Sequence, residues 1–149
     1  MRQHAFRSIA VEKYEEDKRS FGEDNAYDKV FCVFDRDKHG DFDRVIKEID
    51  IKGKPFVAIP SYPCFEIWVL FHFEETTREY KDYAAVASKL KKHISNYSKI
   101  TRAYPLICER TNEAIKRAKS VYKQAAKEKI KHRSSLVYVI VEDLFKSAK

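Results

Sequence analysis

Val30-Phe31-Cys32-Val33-Phe34-Asp35-Arg36-Asp37-Lys38-His39-Gly40 is the stretch whose reading decides the fold. An unbroken apolar run of β-formers ends in a turn of charged residues and glycine. Such a run reads as a strand buried on both faces, the kind found in parallel sheets covered by helices. Side chains alternate along a strand, so Asp35 and Asp37 point the same way for as long as the extended geometry lasts. Two carboxylates on one side of a strand's carboxyl end suit a divalent cation, Mg2+ or Mn2+, which takes one or two carboxylates and fills its other positions with water and substrate phosphate. Ligand sites of open α/β sheets lie beyond those same strand ends. The plainer alternative is that Asp35 caps the next helix and Asp37 only forms the turn.

Working outward, residues 5–19 carry Phe6, Ile9, Ala10 and Tyr14 at helical spacing, and residues 20–28 read as a polar loop. Downstream, Asp41 or Asp43 caps a helix to Ile49 with Phe42, Val45, Ile46 and Ile49 inward, and Lys52-Gly53-Lys54 breaks it. Phe56-Val57-Ala58-Ile59 is a second buried strand. Ser61-Tyr62-Pro63 then opens a helix to Phe73, since proline suits a first helical turn. That helix is apolar almost all round and belongs at the centre of the core. The order strand, helix, strand, helix implies parallel pairing through a right-handed crossover. From Glu74 on the chain reads as helical: residues 83–93, 109–129 and 135–146, the last despite a strand-prone run at 136–141. The expectation is a single α/β domain over residues 1–149, a small parallel sheet covered by helices with an all-helical C-terminal half. Two strands make a very small sheet whose edges need hiding. The third strand is then cryptic, supplied by a partner, or part of a longer fold.

Composition narrows the class. The chain has 149 residues, 44% hydrophobic, with 3 glycines and 4 prolines, which favours helices over an all-β fold with many tight turns. Three glycines also leave little room for a nucleotide-cradling loop. The cysteines, Cys32, Cys64 and Cys108, are odd in number and lack metal-ligand spacing, so they read as small buried side chains in a reducing compartment. The apolar stretch 64–73 is too short to cross a bilayer and holds Glu66 and His72, and the N-terminus lacks a signal-like apolar block. The expected location is the cytoplasm, with no membrane partner. Charge is split unevenly: residues 1–80 hold 13 basic and 17 acidic side chains, residues 81–149 hold 17 and 6. Lys116, Lys119, Lys123 and Lys127 share one helix face opposite Ala114, Ala118, Val121 and Ala125. An anionic partner fits that stripe, as does an ordinary solvated face.

Other candidates are fewer. Glu66 is the one acidic residue of its apolar helix. A buried carboxylate there needs a partner, a metal or a proton, whereas a first-turn position would welcome it through the helix dipole. His72 reads as a hydrogen-bonded core histidine. Arg36 and Lys99, in polar loops, could each meet a phosphate.

Val33-Phe34-Asp35-Arg36-Asp37, then Ser61-Tyr62-Pro63-Cys64-Phe65-Glu66-Ile67-Trp68, then Leu70-Phe71-His72-Phe73, and later Tyr97-Ser98-Lys99, together resemble the RloB-like family of bacterial defence-associated proteins over roughly residues 28–145. The family pattern has a strand ending F-D-x-D, an S-N-P-x-F-E-x-W segment, a stretch ending H-F and a Y-x-K element. The resemblance implies a Toprim-like fold, in which a D-x-D and a separate glutamate work with Mg2+ or Mn2+ on nucleic acid phosphodiesters. It also implies a role in anti-phage defence and an ATPase partner. On this reading Asp35 and Asp37 hold the metal and Glu66 supports it as a third catalytic carboxylate. Arg36, Lys99 and the four α-helical lysines meet DNA or RNA, and self-association is a further expectation. The alternative is a non-catalytic module binding a partner ATPase or nucleic acid. Tyr62 replaces the usual Asn, the stretch around His132 lacks the usual Pro, and the family's N-terminal strand with its glutamate is missing. Glu12, Glu15, Glu16 and Glu23 fall instead on a predicted helix or loop, so the expectation is a chain shortened at its N-terminus relative to the family.

Overall fold

The computed structural model describes residues 3–23, 27–36, 40–130 and 134–148, with side chains from Ala10 onward. Phe6 and Ile9, read above as inward, lie outside the described side chains. The elements run α1 (Gln3–Phe21), β1 (Val30–Asp35), α2 (Phe42–Lys52), β2 (Phe56–Ser61), α3 (Glu66–Phe71), α4 (Tyr83–Leu90), α5 (Tyr104–Ile107), a single 3-10 turn (Cys108–Arg110), α6 (Thr111–Lys127) and α7 (Val137–Ser147). The fold is α/β, with one two-stranded parallel sheet and a helical C-terminal half. The Val30 N–H donates to the Pro55 carbonyl at 2.8 Å and the Arg36 N–H to the Ser61 carbonyl at 3.0 Å, so the two strands advance together in register. The chain forms two compact units. One holds α1, β1 to Phe34, α2 and β2 to Pro60. The other holds Asp35, Arg36 and the chain from Ser61 on.

In the first unit, Cys32, Val45, Ile49 and Phe56 form the buried cluster, and Ala10, Val11, Tyr14, Val30 and Phe34 pack against it. The alternation Val30, Cys32, Phe34 is the strand pleat delivering one face to that cluster. Tyr14 meets Phe56 edge-on at 5.4 Å, and Phe34 meets Phe42 at 5.3 Å. The inward positions of α2 are as its periodicity predicts: Phe42, Val45 and Ile49 are buried. Gly53 ends the helix at φ 65°, where its N–H reaches the Ile49 carbonyl at 3.0 Å, a conformation that glycine adopts without a Cβ penalty. Asp41 sits at the N-cap position but its side chain does not cap; it pairs with Arg44 at 3.4 Å instead. The expected burial of β1 on both faces is corrected here. Val33 is 38% exposed, because only the Cys32 face of the strand meets the cluster.

The second unit is built around α3, whose Ile67, Trp68, Val69, Leu70 and Phe71 are all buried, so the apolar helix is central as expected. It packs on α4 and α6, and α6 packs on α7. A helix this short leaves its last carbonyls without intrahelical partners. The His72 Nδ1–H donates to the Trp68 carbonyl at 2.9 Å and Arg117 Nη1 to the Phe71 carbonyl at 2.8 Å. The expected helix start at Pro63 is a second correction. The Tyr62–Pro63 bond is cis and α3 begins at Glu66, after a turn. The end of β2 is tied to the start of α7. Ser61 and Ser135 form an isolated antiparallel bridge, their hydroxyls 2.8 Å apart and fully buried, and the Tyr62 N–H donates to the Ser134 carbonyl at 3.0 Å. Ser135 Oγ also accepts from the Val137 N–H at 3.2 Å, at the first turn of α7. The 135–146 segment is helical as favoured above, and α5 is an element its sequence did not announce. Among the described residues, no helix is long and apolar enough to cross a membrane.

Candidate functional site

The carboxyl ends of the two strands belong to the second unit, and the charged candidates gather there. Asp35 closes β1. Asp37, its proposed partner, lies outside the described residues. Beyond β2, the cis turn carries Cys64, which is buried, and then Glu66 as the first residue of α3. Glu66 is half-buried in that first turn. Here the free N–H groups and the positive helix end favour an anion.

Cys64 connects the two carboxylates. Burial pushes its thiol pKa up, a hydrogen bond to Glu66 and that residue's charge push it further, and the charge of Asp35 adds to this. The group is therefore a protonated thiol. A protonated thiol is a poor nucleophile.

Tyr97 stands in the same surroundings. Burial first, then the charge of Glu66 and the neighbouring Tyr83 and Cys64, push its phenol up to about 12. Two cations rest on aromatic faces in this unit. The Arg36 guanidinium lies 4.8 Å from the centre of the Tyr62 ring, and Lys99 Nζ lies 4.7 Å from that of Tyr83. A cation on a ring face is held by the ring quadrupole while its N–H groups remain free to meet an anion. The loop carrying Lys99 is itself fixed: the Ser98 N–H donates to Thr101 Oγ1 at 2.8 Å and the Thr101 N–H returns to the Ser98 carbonyl at 3.0 Å.

Of the residues singled out in the sequence, Asp35 and Glu66 both act by charge on Cys64, and Arg36 and Lys99 each find a ring within the same unit. Spacing offered no signal for Tyr83, which opens a helix like many tyrosines; its role shows only in the fold. The four lysines of α6 lie on its face away from the buried Ala114, Ala118, Val121 and Ala125. Lys116 pairs with Glu113 at 2.7 Å, and Lys119 pairs with Glu142 across to α7. Lys123 and Lys127 make no ion pair among the described residues. Glu12, Glu15 and Glu16 are exposed on α1, with Glu16 paired to Lys13 at 3.3 Å.

The donor set bears on a metal in a particular way. Among the described residues, no three of His, Cys, Asp and Glu gather into a group able to hold an ion. Two carboxylates beside a neutral thiol do not make a closed zinc-type site. They do suit Mg2+, which keeps most of its water and asks the protein for one or two carboxylates.

No curated protein and no solved structure matches this chain. The family model described as RloB-like protein matches residues 3–144, nearly the whole length, and on that match, which includes the strand end, the cis turn and the Tyr97 loop just described, the chain belongs to the RloB-like family.

Proposed function

We propose that this protein is the metal-dependent component of a Toprim-like nuclease acting on nucleic acid phosphodiesters in bacterial anti-phage defence. The observation that carries the reading is the place of Asp35 at the end of β1 and of Glu66 at the start of α3, just beyond the end of the parallel β2, with both charges acting on the buried Cys64 thiol. Asp35, Glu66 and Asp37 would hold Mg2+ or Mn2+. A divalent ion at such a site supplies positive charge to a phosphoryl oxygen. Arg36 and Lys99, steadied on the rings of Tyr62 and Tyr83, neutralise flanking phosphates of the bound strand.

The test is calorimetric titration of Mg2+ and Mn2+ into wild type and into Asp35→Asn, Asp37→Asn and Glu66→Gln. Each variant should keep its melting temperature and lose metal affinity, together with metal-dependent cleavage of labelled DNA or RNA. Absence of metal binding by the wild type at millimolar concentration would remove the enzymatic reading. The second reading, a non-catalytic module for a partner ATPase or nucleic acid, is favoured by the lack of a three-ligand group among the described residues. It predicts nucleic acid binding that is indifferent to all three substitutions.

A further inference from the structure

The segment that leads from α4 through α5 is anchored at two places and apolar between them. Tyr97 and Ile107 are its buried anchors. In between, the Ser98 N–H bonds Thr101 Oγ1, the Thr101 N–H returns to the Ser98 carbonyl, and the Leu106 N–H donates to the Ala103 carbonyl at 2.9 Å. This bonded backbone turns three large apolar side chains to solvent: Ile100 is 90% exposed, Tyr104 75% and Leu106 55%. Apolar residues exposed singly are ordinary, but three within residues 100–106 call for something to cover them.

The charge of the same segment narrows what that is. Residues 83–108 hold Lys89, Lys91, Lys92, Lys99 and Arg102 and no acidic residue. Lys89 is taken by Glu74 at 3.0 Å. Lys99 and Arg102 are exposed and stand among the apolar side chains, with Lys99 Nζ resting on the Tyr83 ring. A second copy docked on this surface would set like charges against each other, so the fitting partner is an anion with apolar faces. An acidic peptide would also meet the charge, but the phosphodiester reading of Asp35 and Glu66, in the same unit, favours nucleic acid. A duplex supplies the charge and keeps its base faces stacked inside. A single strand supplies both: phosphates for the cations and open base faces for an aromatic ring. We propose that residues 99–106 dock single-stranded nucleic acid, with a base stacked on Tyr104, apolar contact from Ile100, and backbone phosphates on Lys99 and Arg102. This rests on the phosphodiester reading above and gives its substrate a strand form.

The experiment compares the full-length wild type with Tyr104→Ala and Tyr104→Phe. Thermal melts are recorded without ligand. Binding of a fluorescein-labelled single strand, and of the same sequence as a duplex, is followed by anisotropy in EDTA, where metal-dependent cleavage cannot intervene. Both variants should melt at the wild-type temperature, because the ring stands in solvent. The wild type should bind the single strand more tightly than the duplex. Tyr104→Ala should weaken single-strand binding about fivefold or more, as for one lost stack, and leave duplex binding as it was. Tyr104→Phe, which keeps the ring, should bind like the wild type. Unchanged single-strand affinity in Tyr104→Ala, or an equal fall for both strand forms, overturns the inference and leaves the nuclease reading standing. So does binding of poly-glutamate that falls in Tyr104→Ala, which would make the partner an acidic protein. A melting temperature lowered by several degrees in Tyr104→Ala overturns it as well, since the ring would then serve the fold. A wild type that binds neither form in EDTA overturns the inference alone, because the metal titration still decides the nuclease reading.

Discussion

The two units bury their apolar side chains to different depths. In the second, Leu70, Phe71, Val86, Leu90, Ala114 and Ala118 are all fully enclosed, because α4 and α6 close directly on α3. In the first, Ile59 of β2 is also fully enclosed, but every member of the Cys32, Val45, Ile49 and Phe56 cluster keeps a few per cent of exposure, and a small apolar cavity lies among Ala10, Val11, Cys32, Ile49 and Phe56 with the Lys52 stem at its side. Helices closing on a helix exclude water from every side of it. Two strands make a surface too narrow to do the same. Asp35, Cys64, Glu66 and Tyr97 belong to the deeper-packed unit. A site that must hold charged groups in fixed positions is better served by that frame.

The largest expected effect is in the second unit. Trp68 is buried in α3 and meets His72 edge-on at 4.8 Å. Trp68→Ala should cost about 3–5 kcal/mol, comparable to the whole stability of a small domain, and leave the protein largely unfolded. Ile49→Val in the first unit should cost about 0.5–1.5 kcal/mol. Hydrogen exchange sharpens the contrast: in Ile49→Val, amides of α2 and the strands should exchange faster while those of α3 and α6 keep their protection. Equal acceleration in both sets would show one cooperative body and break the comparison.

The next effect is at the serine pair. Ser61→Ala leaves the Ser135 hydroxyl buried without its side-chain partner, at a cost of roughly 1–3 kcal/mol. The double variant Ser61→Ala with Ser135→Ala should cost less than the two singles together, because no hydroxyl is then stranded, although the Val137 N–H still loses its acceptor. Urea midpoints of the four proteins measure the coupling. Strict additivity would mean that the hydroxyls do not depend on each other.

This pair also marks where the sequence stops being readable. Ser61 and Ser135 are 74 positions apart, and neither sits in a pattern that reports on the other. The apolar run before Asp35, the period of α2 and the stripe of α6 are local regularities, and local regularity is what a single sequence displays. The turn at Tyr62–Pro63 misled because proline suits both a first helical turn and a cis turn. Burial of β1 was overestimated for a related reason: an apolar run records what could be covered, and only one face of this strand meets its cluster. Asp35 and Glu66 were legible as candidates from their chemistry. That both charges act on the buried Cys64 thiol follows from the tertiary fold and has no local signal.

His72 tests the deeper core through pH. Burial lowers its pKa below the ordinary 6.5, and the charge of Arg117 lowers it further against the opposing bonds to the Trp68 and Val69 carbonyls. The unfolded chain therefore takes up the proton first. The stabilising contribution is complete above about 6.5 and is lost as pH falls toward and through the lower folded value. Urea midpoints of the wild type should drop between about pH 7.5 and 5.5, and His72→Gln should show a shallower drop over the same range. Parallel slopes would assign the acid sensitivity to other groups.

The smallest effect on stability, and the sharpest on binding, is expected along α6. The sequence presents Lys116, Lys119, Lys123 and Lys127 as equivalents, but the fold does not. Lys119 is partly buried, paired with Glu142 and within 5.8 Å of the Tyr138 ring, and Lys116 is paired with Glu113 on the open surface. A lysine already facing a carboxylate must leave it to meet a phosphate, whereas Lys123 and Lys127 have no such pair to break among the described residues. If the stripe docks nucleic acid, those two should carry most of the salt dependence. Two phosphate contacts give a log–log slope of about −1.8 on duplex DNA and about −1.4 on single strands. Lys123→Gln with Lys127→Gln should bring that slope close to zero and leave the melting temperature unchanged, since glutamine is a good helix former. Lys116→Gln with Lys119→Gln should barely alter the slope and cost at most about 1 kcal/mol from the lost pairs. Equal loss of slope in both double variants would show that the surface pairs yield freely to phosphate and that the whole stripe acts as one face. No change in either would return α6 to an ordinary solvated helix.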